Sequence, residues 1–168
     1  IMTYKEELIN SIEPDFTFSK IPINRFKIIE TKIEKKNLNQ INRINELKKT
    51  INSIQNCNLK DNSNNLILGD GNIDSPIMVI GESPNLQEDK FGKTFQGETG
   101  TLLEKMLLAI NIKRESIYAT YAVNFRPPED RKPTSQEIKR YSVFLKEHIT
   151  IIDPKIIILM GSSAMESI

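Results

Sequence analysis

The chain has 168 residues, 38% of them hydrophobic and 27% charged, enough for one globular domain with a sizeable core and hardly for two, and no apolar run nears the roughly 20 residues of a membrane span. With 23 basic against 22 acidic residues the formal charge is +1, so any polyanion binding must come from local clusters and not from bulk charge. One cysteine, Cys57, and one histidine, His148, exclude an internal disulfide, a cysteine-only zinc or iron–sulfur site and a two-histidine metal site within one chain.

The opening residues carry no secretory pattern, which predicts a cytoplasmic protein. Thr3 and Glu6 form a capping-box pattern ahead of Leu8, Ile9 and Ile12 and predict a short first helix. Ile41, Ile44, Leu47, Ile51 and Ile54 step by three or four and predict an amphipathic helix. Residues 1–54 therefore read as an N-terminal helical extension, and 55–168 as an α/β domain. Cys57 to Asn65 is polar and linker-like, and Asn64 to Asn72 reads as a short strand running into a turn.

After Pro76 the pattern changes. Ile77-Met78-Val79-Ile80 is a continuous apolar run ending at Gly81, the mark of a strand buried on both faces. Thr101 and Glu104 form a capping box for a helix expected to bury Leu102, Leu103, Met106, Leu107 and Ile110. Ser116 to Val123 reads as a second strand. Thr134 and Glu137 cap a helix whose apolar side is Ile138, Tyr141, Leu145, Ile149 and Ile152, and Ile156 to Gly161 reads as a third buried strand. Strand, helix, strand, helix, strand with long crossovers predicts a three-layer α/β/α sandwich around a central, mostly parallel sheet. A last capping box, Ser163 to Glu166, has only two residues after it, from which a longer parent fold, truncated at its C-terminus, is expected.

Ligands of open α/β sheets bind at the carboxyl ends of the strands. The segment from Gly81 to Gly100, about twenty residues without a strong helix or strand pattern, leaves the first strand and carries Glu82, Glu88, Asp89 and one aromatic, Phe95. It reads as a functional loop or as an ordinary acidic, solvated one. The second strand leads into Asn124-Phe125-Arg126-Pro127-Pro128 and on to Arg131 and Lys132, a stiff loop with cations that suits a phosphate backbone or, alternatively, pairs with neighbouring acids. Serine hydrolase chemistry finds no Gly-x-Ser-x-Gly elbow, since Gly161-Ser162-Ser163 lacks the second glycine.

The run Gly81-Glu82-Ser83-Pro84-Asn85, with Glu88-Asp89 and then Gly92-Lys93-Thr94-Phe95-Gln96-Gly97-Glu98-Thr99-Gly100-Thr101-Leu102-Leu103, resembles the first signature of the family 4 uracil-DNA glycosylases. Arg126-Pro127-Pro128, the helix from Thr134 and the strand ending at Gly161 follow in the family's order, and the resemblance covers residues 54–168. It implies a base excision repair protein that hydrolyses the N-glycosidic bond of a flipped uracil in DNA. Glu82 would be the catalytic carboxylate, positioning or activating the attacking water or offsetting positive charge on the sugar. Gly81, Ser83, Pro84, Asn85, Glu88, Asp89 and Tyr121 would line the base site and Phe95 would stack on the base. Lys93, Arg126, Arg131 and Lys132 would contact DNA. A monomer without membrane attachment is expected.

The departures shape the expectation. Iron–sulfur members hold a 4Fe–4S cluster with four cysteines, whose positions here carry Ile54, Cys57, Phe125 and Tyr141. A cluster needs about four thiolates, so none is expected, the volume being refilled by side chains and Cys57 left as an inert thiol. The asparagine that reads the uracil edge falls on Tyr121, whose phenol carries a single donor where an amide both donates and accepts. Asn124 points to the other strand face, and Asn85 replaces the last glycine of the first signature, a mild change because asparagine tolerates left-handed backbone. The family's second signature, with its His-Pro, is not found, and His148 precedes Ile149 within a helix. The competing expectations are an inactive nucleic-acid-binding remnant and an inert fragment with an uncovered sheet face at Ile156 to Met160.

Overall fold

The computed structural model describes the backbone from Arg25 and the side chains from Lys36, in each case through Ile168. The capping box at Thr3 and the helix it opens lie outside the described residues. Helix α1 (Arg25–Asn52) leads into a short α2 (Asn58–Asp61) and β1 (Gly69–Gly71), then β2 (Ile77–Gly81), α3 (Leu86–Phe91), α4 (Gly97–Ala109), β3 (Tyr118–Tyr121), α5 (Ser135–Ile152), β4 (Ile156–Leu159) and α6 (Ser162–Glu166).

The sheet has four strands in the order β1-β3-β2-β4. β2 runs parallel to both β3 and β4, with Val79 beside Ala119 and Ile158, and β1 pairs antiparallel with β3. Alternation along β2 and β3 sends residues to two layers. Val79, Ala119 and Tyr121 meet Leu103 and Leu107 of α4 on one face. Met78, Ile80 and Tyr118 meet Leu145 and Ile152 of α5 on the other. This is the expected α/β sandwich.

The boundary expected after Ile54 does not fall at a break in packing. Leu47 and Ile51 of α1 share a core with Cys57, Phe125, Ile138 and Tyr141, and the Gln40 amide donates to the Ile151 carbonyl at 2.9 Å. One compact unit spans Lys36–Ile168, because the apolar stripe of α1 needs α5 to bury it.

Other elements differ from the sequence reading. The helix assigned to Thr101 starts at Gly97, and the Thr101 hydroxyl donates to the Gly97 carbonyl, a bond available inside a helix as well as at its cap. Leu103 and Leu107 of that helix are buried, whereas Leu102, Met106 and Ile110 are each more than half exposed. β4 pairs with β2 alone and lies at the sheet edge, so Ile156, Ile157 and Ile158 are exposed and not buried as predicted. Among the described residues no helix is long and apolar enough to cross a membrane. The Thr134–Glu137 capping box forms as predicted and opens α5.

His148 lies on the buried face of α5 with its Nε2 at 2.9 Å from the Tyr118 hydroxyl, and burial pushes its pKa down to about 4. The unfolded chain takes up this proton near pH 6.5 while the folded one resists until about 4, so stability should fall as pH drops through that window, by on the order of 3 kcal/mol. Glu137, held down to about 2 mainly by Arg131, loses its own contribution only at lower pH. Urea midpoints measured between pH 7 and 4.5 should fall for the parent and fall much less for His148→Gln.

Candidate active site

At the carboxyl ends of β2 and β3 a cavity of about 410 Å³ is lined by Gly81, Glu82, Ser83, Asn85, Glu88, Phe95, Thr99, Tyr121, Met160 and Gly161. The segment expected to be irregular contains α3. Its N-cap is Asn85, whose Oδ1 accepts from the N–H groups of Gln87 (2.8 Å) and Glu88 (3.2 Å), while the Glu88 carboxylate accepts the Asn85 N–H at 2.6 Å. This is a reciprocal capping box. Asn85 is extended, with φ −101°, so its tolerance of left-handed backbone is not called on.

Glu88 is 2% exposed. Burial raises its pKa, and hydrogen bonds from Tyr121 and from the N–H groups of Asn85 and Gln96 oppose that rise. The Tyr121 hydroxyl accepts the Phe95 N–H at 2.9 Å. Burial, and then the Glu88 carboxylate, push the Tyr121 phenol well above its usual range, so it stays protonated. The hydroxyl is thereby engaged inside the protein, and what Tyr121 offers the cavity is chiefly its ring. That ring lies 5.1 Å, centroid to centroid, from Phe95 at an interplanar angle of 33°. Gly81 makes this approach possible, since a Cβ there would sit 2.7 Å from the Tyr121 ring and 3.0 Å from that of Phe95.

Glu82 follows Gly81 directly and is half-buried at the cavity rim. Its Oε1 accepts the Ser163 N–H at 2.9 Å and the Ser162 hydroxyl at 3.2 Å. The Ser163 N–H is the main reason its pKa lies below the ordinary glutamate value; partial burial opposes it, and Lys132 adds a weaker attraction. The carboxylate is ionised at neutral pH. This contact also corrects the reading of Ser163 as a cap. Helix α6 begins at Ser162 with no side-chain cap from Gly161, and its N–H is met instead by Glu82 from another strand.

Of the other residues singled out, Pro84 is buried and does not line the cavity. Asp89, fully buried, faces away from it. Its carboxylate accepts the N–H groups of Asn64 and Asn65, both at 2.9 Å, and the Asn64 amide at 2.7 Å. Asn124, past the end of β3, bonds the Ile67 backbone, its amide donating to the Ile67 carbonyl at 3.1 Å and its own carbonyl accepting the Ile67 N–H at 2.9 Å. Among the cations, Arg131 makes a two-pronged ion pair with Glu137 at 2.7 and 2.8 Å, and Arg126 pairs with Asp130 at 2.6 Å. Lys93 and Lys132 are exposed and make no ion pair among the described residues. Met160, Thr99 and Gly161 were not singled out as cavity residues. Their signal was position alone, at a strand end or in the first turn of α4.

The four positions that carry cluster cysteines in iron–sulfur glycosylases come together in space. Ile54, Cys57, Phe125 and Tyr141 belong to one core, with Cys57 Sγ hydrogen-bonded to the Tyr141 hydroxyl at 3.2 Å and the rings of Phe125 and Tyr141 6.3 Å apart. One thiol among apolar and aromatic groups does not fit a cluster that needs four thiolates.

The model of the uracil DNA glycosylase superfamily matches residues 68–168. A type-4 uracil-DNA glycosylase of Thermotoga maritima is 39% identical over 109 residues, which is 65% of this chain and 57% of that protein. One of Archaeoglobus fulgidus is 33% identical over 125 residues, 74% of this chain and 63% of that protein. A DNA polymerase of Bacillus phage SP01 is 33% identical over 99 residues, 58% of this chain and 11% of the polymerase. The chain thus spans less than two thirds of the length of each of these relatives.

Replacing Asp89 by Ala leaves the backbone N–H groups of Asn64 and Asn65 without an acceptor and should cost about 2–3 kcal/mol. Chemical denaturation checks this.

Proposed function

Because the chain belongs to the uracil DNA glycosylase superfamily, we propose that it binds DNA and hydrolyses the N-glycosidic bond of a uracil flipped into the cavity beside Glu82. A base stacked in a duplex is out of reach of a side chain at a strand end, so it must leave the stack, and stacking in the pocket offsets part of that cost. Phe95, backed by Tyr121, supplies the stacking surface. Water adds to the sugar C1′ as the bond to the base nitrogen breaks. The bonding pair leaves with the base, and the proton released by the water passes to Glu82 or to solvent. Through this step C1′ gains positive character, which a fixed carboxylate stabilises.

The observation that carries this reading is one ionised carboxylate and one aromatic ring, from different turns of the chain, opening on the same cavity. The type-4 relatives support the substrate, and the phage polymerase supports DNA as the partner. Lys132 and Lys93 would meet phosphates; Arg126 and Arg131, already paired, would contribute less. No cofactor is needed, and the chain would act as a monomer. A second reading, DNA binding without base release, is favoured by the Tyr121 hydroxyl, which is bonded to Phe95 where the family presents an amide to the base.

A single-stranded oligonucleotide with one uracil, incubated with the chain, should yield an abasic site, and Glu82→Gln should slow its formation about 100-fold. Binding that falls with salt and gives no abasic site at any enzyme concentration would select the second reading. In either case Lys132→Ala and Lys93→Ala should each lower the slope of log affinity against log salt by about one.

A further inference from the structure

β2 and β4 run side by side, Ile80 beside Leu159, and the Met160 N–H donates to the Ile80 carbonyl at 2.8 Å. The two strands therefore deliver Glu82 and the turn Gly161-Ser162-Ser163 to the same spot. One oxygen of Glu82 accepts both the Ser163 N–H and the Ser162 hydroxyl, at 2.9 and 3.2 Å, and the Ser163 side chain also acts on the carboxylate. The space the carboxylate occupies exists because residue 161 has no side chain. A Cβ there would lie 2.4 Å from both Cγ and Cδ of Glu82, and Gly161 has a φ of 104° that side-chain-bearing residues rarely adopt.

We propose that the Gly161-Ser162-Ser163 turn is the positioning device for the catalytic carboxylate: it grips one oxygen of Glu82 and so fixes the carboxylate at the rim of the cavity, where water and C1′ would meet. This rests on the role given to Glu82 above. Gly161 lines the cavity, and the turn acts on the reaction through Glu82. Gly161 supplies the room, the Ser163 N–H the main anchor and the Ser162 hydroxyl a second. A carboxylate held at one oxygen has a single approach direction toward the water, which is the geometric requirement of a positioned base or electrostatic partner. The reverse also holds, since Glu82 satisfies an N–H that α6 would otherwise leave unpaired.

Two readouts test this, one of which needs no catalysis. With carbon-13 in the glutamate carboxyls, Glu82 should titrate below the ordinary glutamate range in the parent. It should move part of the way back in Ser162→Ala and nearly all the way in Gly161→Ala. The other groups facing it are Lys132, from the Arg-Pro-Pro loop, and Glu88 and Tyr121 across the cavity; Lys132→Ala should shift Glu82 less than Gly161→Ala does.

In single-turnover uracil release, Ser162→Ala should lower the rate several-fold with the half-saturating oligonucleotide concentration unchanged. Gly161→Ala should lower it nearly as far as Glu82→Gln, and adding it to Glu82→Gln should cost nothing more. A folded Gly161→Ala chain with the parent's rate and the parent's Glu82 titration overturns the proposal. If Gly161→Ala does not fold, Ser162→Ala decides alone, and an unmoved Glu82 titration counts against the seat. If Glu82→Gln releases uracil at the parent's rate, the functional reading fails while the titration still judges the seat.

Discussion

The site depends on a carboxylate that does no chemistry in the proposed reaction. Glu88 is sealed from water, and an ion or acid in such a place is tolerated only when its oxygens are met by donors. Two of those donors come from the loop after β2, the Asn85 N–H closing the cap of α3 and the Gln96 N–H just before α4, and the third is the Tyr121 hydroxyl at the end of β3. One side chain therefore ties both ends of a long crossover to the strand beside it. Tyr121 extends the chain of bonds to the Phe95 backbone, which links Glu88 to the residue whose ring would face a base.

Asp89, the next residue, does the same work in the opposite direction. Consecutive positions of a helix point about 100° apart, so Glu88 closes the cavity while Asp89 pins Asn64 and Asn65. An adjacent pair of acids in a signature thus serves two walls of the molecule. That is why the pair reads as one functional unit in the sequence and separates into two structural roles in space.

What was legible follows from what each element needs. β2 and α5 were readable because a doubly buried strand is apolar without a break, and because Thr134 and Glu137 satisfy the first turn of α5 with local side chains. β4 has the same apolar pattern and a different environment, since composition records the hydrophobicity of a strand but not whether it is central or at an edge. α3 was signalled by Asn85 and Glu88, three apart, yet it is six residues long and too short for a hydrophobic period to show. The misplaced cap at Ser163 has a different cause. Its partner, Glu82, lies 81 positions away, and no local pattern reports a donor satisfied from that distance. Glu82 itself was legible as a carboxylate at a strand end; the turn that holds it was not.

The same logic governs the core that holds Ile54, Cys57, Phe125 and Tyr141. Where four thiolates and a cluster would tie α1, β3 and α5 together, the chain uses two aromatic rings, an isoleucine and a thiol bonded to a phenol. A metal centre fixes its ligands by bond length and angle, whereas packed side chains fix theirs by volume and by one polar contact that must be satisfied. The Cys57–Tyr141 bond meets that condition, and burial together with the neighbouring thiol pushes the Tyr141 phenol up, so it remains a neutral donor or acceptor. Phe125 of this core directly precedes Arg126, at the start of the loop that carries Lys132 toward Glu82. Packing at Phe125 therefore bears on where the end of β3 and the loop beyond it lie. Rings at Phe125 and Tyr141 in edge-to-face contact, 73° apart, provide a rigid and volume-filling way to do so.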